Sequence, residues 1–214
     1  MKPPALVIFD IDGTLLQTDL VTVPAVQQTF ASFGLPAPDR DAICAFFGRP
    51  QEDYEAWIAE LCPPGRDDQI IEAINRREIE CIGETGRLYP GTRGAIVELI
   101  EEDYRLAICS NGPERYVQEF VKKHRLTPFF DMVCARGVQY TGKIEMMTDI
   151  LRRMPTRPVI VVGDRDDDIA AAHHHGAKAI GVTYGFGSPA ELEGADVLIY
   201  APAEIPKTVR GMHS

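Results

Sequence analysis

Six short runs, at residues 5–9, 105–109, 132–135, 159–162, 177–182 and 196–199, limit this chain to few folds. Each is β-branched or apolar, the pattern of a strand buried on both faces. Between them lie stretches of helical spacing, such as residues 113–124, where Val117, Phe120 and Val121 share one side and Pro113 suits a first turn. Strands alternating with helices predict βαβ units, and so an α/β fold whose doubly wound, Rossmann-like parallel sheet is covered on both faces. The expected strand order is 3-2-1-4-5-6, with a ligand crevice where the order reverses.

Residues 18–86 break this rhythm. Helical patterns at 23–33, 39–47, 51–61 and 67–82 follow one another without a strand, separated by Gly34-Leu35-Pro36, Gly48-Arg49-Pro50 and Pro63-Pro64-Gly65. The turn signal Tyr89-Pro90-Gly91 then returns the chain to the sheet. The expected organisation is an α/β core domain of residues 1–17 and 87–214, with an all-α cap domain of residues 18–86 inserted after the first strand.

Charge narrows the partners. The chain carries 32 acidic against 22 basic residues, a formal net charge of -10, with no run of Lys or Arg. Such a field repels polyphosphate backbones and anionic lipid, so neither nucleic acid nor a membrane is expected as a partner. A small anionic ligand would have to be drawn in locally, by a metal or a few placed cations. The five cysteines (Cys44, Cys62, Cys81, Cys109, Cys134) are scattered without a C-x-x-C pair, which suits reduced thiols in a cytoplasmic protein. The apolar run before Asp10 is too short for a signal peptide or a membrane span.

Chemistry concentrates where the runs end. In Asp10-Ile11-Asp12-Gly13-Thr14, strand alternation turns both carboxylates to one side, and Gly13 lets the backbone pass close to a ligand. One ionised carboxylate can serve as nucleophile and metal ligand while the other, protonated, donates to a leaving oxygen. Ser110-Asn111-Gly112 follows the second run and precedes a helix, where a hydroxyl and backbone N–H groups can cradle phosphate oxygens. Lys143 opens a helix whose apolar positions Ile144, Met147 and Leu151 are expected to face inward; a cation there opposes the helix dipole unless an anion sits nearby. Gly163-Asp164-Arg165-Asp166-Asp167-Asp168 ends the fourth run, and Asp164 would join Asp10 at a Mg²⁺, with Asp168 one turn further on. In the cap, Arg49 could reach a substrate anion, whereas Tyr54 and Trp57 read as cap core. The adjacent His173, His174 and His175 diverge by about 100° each on a helix and cannot converge on one ion.

Taken in order, D-x-D-G-T, S-N-G, K and G-D-x-x-x-D resemble the motifs of the haloacid dehalogenase-like superfamily, in its branch with a helical cap after the first motif. The later Gly176-to-Val182 stretch and Tyr184-Gly185-Phe186-Gly187-Ser188 look like its phosphoglycolate phosphatase-like group. The resemblance implies a phosphatase using Mg²⁺ to hydrolyse a small phosphate monoester. Asp10 would be the nucleophile forming an aspartyl-phosphate, and Asp12 the general acid and then base, with its backbone carbonyl on the metal. Ser110 and Lys143 would bind the phosphoryl group with Asn111 and Gly13, Asp164 would ligate the metal, and Asp168 would act from behind. Alternatives within the resemblance are a phosphosugar mutase and a phosphate-binding regulatory module without turnover. The carboxylate at Asp12 argues against carbon–halogen cleavage. Gly112 stands where phosphoglycolate phosphatases often have Lys, and Ile144 where many sugar phosphomutases and phosphatases have Pro.

Overall fold

A computed structural model describes residues 5–213; residues 1–4 and 214, at the ends of the expected core domain, lie outside the described residues. The apolar runs form a six-stranded sheet of β1 (Leu6–Phe9), β2 (Arg105–Ser110), β3 (Met132–Ala135), β4 (Val159–Gly163), β5 (Lys178–Val182) and β6 (Val197–Ile199). All neighbours pair in parallel, in the order β3-β2-β1-β4-β5-β6. This is the expected doubly wound order, reversing direction between β1 and β4.

Alternation along the strands divides the core into two layers. Val7 and Phe9 with Leu106, Ile108, Ile160 and Val162 face one side, covered by α5 (Thr92–Glu101), α6 (Glu114–Lys123) and α9 (Ile205–Met212). Leu6 and Ile8 with Ala107, Cys109, Val159 and Val161 face the other, covered by α7 (Lys143–Arg153) and α8 (Asp166–His174). Because β1 is buried from Leu6 to Phe9 and its register aligns Phe9 with Ile108 and Val162, the carboxyl ends of β1, β2 and β4 emerge side by side.

The buried face of α7 departs from expectation. Met146, Met147 and Ile150 are buried together with Lys143, while Ile144 is 39% exposed and Leu151 only partly covered. The buried positions follow the i, i+3, i+4, i+7 stripe of a helix starting at Lys143 itself, so the ammonium points inward with the apolar residues.

Between β1 and α5 run α1 (Asp19–Ser32), α2 (Arg40–Cys44), α3 (Gln51–Leu61) and α4 (Asp67–Glu84). Val26, Phe30, Ile43, Phe47, Tyr54, Ile58, Ile70 and Ile74 form an apolar cluster of their own, against which Trp57 packs. Helix α1 starts four residues before the expected 23, so Pro24 falls inside it. Proline has no N–H for the carbonyl of Leu20; Thr85 Oγ1 donates to that carbonyl instead, tying α1 to the end of α4. Helix α2 ends at Cys44 rather than running to 47, and turns lead on through Gly48, which has a φ of 76°.

Candidate active site

The carboxyl edge of the sheet gathers Asp10, Asp164, Asp168 and Lys143, all buried. Lys143 Nζ donates to Asp10 Oδ1 at 2.9 Å and Asp168 Oδ1 at 2.7 Å, and lies 3.4 Å from Asp167 Oδ1. Carboxylate oxygens of Asp10, Asp164 and Asp168 lie within 4.8 Å of one another. Four carboxyl groups (Asp10, Asp12, Asp164, Asp168) taken out of water beside one ammonium resist ionising. Burial raises Asp10 above the usual carboxylate range against the pull of Lys143, and raises Asp168 well above it. Asp164 is pushed up to about 7 by burial and then by the charge of Asp10, against the backbone N–H of Phe186. Burial alone would lower Lys143, but Asp10, Asp167 and Asp168 outweigh it and hold the ammonium well above its ordinary value.

This surplus of negative charge fits a divalent cation. Asp10 Oδ2 and Asp164 Oδ1 are buried without a hydrogen-bond partner, an arrangement that costs free energy unless something else meets those lone pairs. Hard oxygens with free faces suit Mg²⁺, which binds through one or two carboxylates. The remaining oxygen of Asp164, Oδ2, accepts from Phe186 N at 2.7 Å and Gly187 N at 3.3 Å. Gly13, at a φ of 81°, lets the chain pass this carboxylate: a Cβ there would fall 2.2 Å from Asp164 Oδ2.

Asp12 points elsewhere. Its Oδ1 accepts from Tyr116 Oη at 2.8 Å and Thr18 Oγ1 at 2.9 Å. Burial, followed by the charge of Asp10, raises its pKa to about 6, although both hydrogen bonds favour the ionised form. A carboxyl poised there can exchange a proton near neutrality. Neither Tyr116 nor Thr18 was singled out by the sequence motifs. One lies on the first turns of α6 and the other just before α1, and nothing in their spacing announces a shared partner.

The Ser-Asn-Gly turn divides its work. Ser110, fully buried at the end of β2, accepts from Gly112 N at 3.1 Å. Asn111 Nδ2 donates to Asp167 Oδ2 at 2.7 Å and to the cap carbonyl of Gly48 at 2.9 Å, so its amide holds the cap loop. Beside it, buried Arg165 donates to Ala45 O at 3.2 Å and reaches Glu191 Oε2 at 3.2 Å, while Arg49 reaches Glu191 Oε1 at 3.4 Å. Phe47 meets Phe186 edge-to-face, ring centroids 4.7 Å apart. Residues 45–49 are therefore docked on the core, and Arg49 lines a cavity with Asp12 and Asn111. His173 lies 3.1 Å from Asp196, whereas His175 lies 2.9 Å from the carbonyl of Ile144, so these two histidines diverge.

Residues 7–182 match the model of the haloacid dehalogenase-like hydrolase family, and the chain belongs to that family. It is thus an enzyme of the hydrolase class. It is 28% identical over 195 residues to a phosphoglycolate phosphatase of Pasteurella multocida, covering 85% of this chain and 86% of the relative. Among solved structures, a haloacid dehalogenase-like family protein from Streptococcus pneumoniae superposes with a TM-score of 0.83 at 23% identity, covering 98% of this chain and 100% of the other. A predicted phosphoglycolate phosphatase from Haemophilus somnus gives 0.85 at 20% identity, covering 95% and 97%. At those identities the structures speak for the fold alone. Among the described residues no helix is long and apolar enough to cross a membrane.

Proposed function

We propose that this hydrolase is a Mg²⁺-dependent phosphatase that cleaves a small phosphate monoester through an aspartyl-phosphate on Asp10. The observation that carries the reading is the meeting, at the sheet's switch point, of Asp10 with the Lys143 ammonium 2.9 Å away and of unpartnered oxygens on Asp10 and Asp164. The resemblance to a phosphoglycolate phosphatase supports the same reaction class.

In the first step a carboxylate oxygen of Asp10 attacks phosphorus, the bond from phosphorus to the leaving oxygen breaks, and Asp12 gives that oxygen its proton. In the second, Asp12 takes a proton from water as the water oxygen attacks phosphorus. The bond between phosphorus and Asp10 then breaks, releasing inorganic phosphate and restoring both carboxyls. Lys143 and the backbone N–H groups of the Ser110 turn neutralise charge on the oxygens of the transferring group, and Asp168 keeps Lys143 aimed at Asp10. Asp10, Asp164 and the carbonyl of Asp12 would hold Mg²⁺, which when bound supplies further positive charge to those oxygens.

Wild-type protein is expected to release phosphate from phenyl phosphate with Mg²⁺ and to stop when the metal is chelated, and Asp10→Asn to show only background. Equal rates for wild type and Asp10→Asn would remove Asp10 from the chemistry.

A further inference from the structure

Cap and core together line a pocket of about 60 Å³ beside Asp12. Given the proposed reading, on which this inference rests, the leaving oxygen sits at Asp12, and the remainder of the leaving alcohol must extend into this space. Tyr116 lines it from the core, and Thr18, Thr22, Tyr54 and Glu78 from the cap. Glu78 and Tyr54 are only 9% and 8% exposed. Tyr54 Oη is buried with no hydrogen-bond partner, although a buried hydroxyl ordinarily has one. The cation in the lining, Arg49, is engaged elsewhere: Nε donates to Ala45 O at 3.3 Å and Nη2 reaches Glu191.

We infer that Glu78, Tyr54 and Thr22 form the recognition site for the leaving alcohol, selecting a short, uncharged alcohol bearing a second hydroxyl over one bearing a carboxylate. The Tyr54 and Thr22 hydroxyls can donate or accept, and an ionised Glu78 accepts from a neutral hydroxyl. A carboxylate brought to the same place would face Glu78 and Asp12, and its desolvation would go uncompensated. Burial, opposed by a hydrogen bond from Thr22 and reinforced by the charges of Asp12 and Glu55, pushes Glu78 up to about 7, consistent with a pocket that disfavours additional negative charge.

The test compares three esters of equal length with Mg²⁺ at about pH 8, where Glu78 ionises: 2-hydroxyethyl phosphate, 2-aminoethyl phosphate and 2-phosphoglycolate. For wild type, kcat/KM for the hydroxyethyl ester is expected to exceed that for phosphoglycolate by about tenfold or more, and Glu78→Gln to narrow that ratio by at least about fivefold. Tyr54→Phe is expected to lower kcat/KM for the hydroxyethyl ester more than for phenyl phosphate. If wild type hydrolyses phenyl phosphate but takes phosphoglycolate as well as or better than the hydroxyethyl ester, the inference falls and the phosphatase reading stands. A clear lead for the aminoethyl ester would overturn the neutral-hydroxyl assignment. Hydrolysis of none of the four esters would remove the phosphatase reading and the inference with it.

Discussion

Buried carboxyls decide most of what single residues do in this protein. Glu78 sits against Thr22, and its pKa rises from 4.5 to about 7, mainly through burial. Between those values the folded chain keeps a proton that the unfolded chain has lost. Stability therefore falls as pH climbs through that window, by roughly 3 kcal/mol at most, and stays lower above it. Glu78→Gln removes the titration, so urea unfolding should show the variant gaining on wild type as pH rises from about 4.5 to about 7; a difference that does not change with pH would show that Glu78 ionises normally. The motifs marked Asp10, Asp12, Lys143 and Asp164 because their chemistry and their order along the chain are both local facts. Glu78, Tyr116 and Thr18 were not legible, because each gains its role only through a partner brought close by folding. The sequence offers no local mark for a carboxyl that will lose its water.

Single elements carry the contacts between cap and core. Helix α7 shows how far a periodic reading reaches: its existence was legible, yet its face was expected at Ile144, Met147 and Leu151 and is found at Met146, Met147 and Ile150. Counting Lys143 as part of the buried stripe would have recovered the right face, but a lysine is ordinarily assigned to the surface. Residues 45–47 read as the end of a helix and Gly48-Arg49-Pro50 as a break; the docking of 45–49 through Asn111, Arg165 and Phe186 depends on side chains far away in sequence. Phe47→Ala removes the ring that meets Phe186. Amide exchange across residues 45–49 is expected to quicken by roughly tenfold or more, while β1 and β4 keep their protection. KM should rise more than kcat falls, since a loosened cap weakens substrate retention before it alters the carboxylates. Unchanged exchange would mean that the aromatic contact does not hold the loop.

For the whole molecule, the sheet order was legible because strands buried on both faces must be joined by helical crossovers, and the right-handed crossover rule leaves few orders open. That order brings the ends of β1, β2 and β4 together and thereby concentrates negative charge in a buried site. A cation that binds the folded site and not the unfolded chain raises stability by mass action, by about 2.7 kcal/mol at a hundredfold excess over its dissociation constant. Mg²⁺ is accordingly expected to raise the melting temperature of wild type and to have little effect on Asp164→Asn; equal shifts in both would place the ion elsewhere. The central claim concerns Asp10, and rapid acid quench of the wild-type protein turning over phenyl phosphate with Mg²⁺ tests it most directly. Peptide mass spectrometry should find a hydroxylamine-labile phosphoryl group on Asp10 that is absent from Asp10→Asn. A phosphoryl group carried by another residue, or an Asp10 that stays unmodified throughout turnover, would contradict the account.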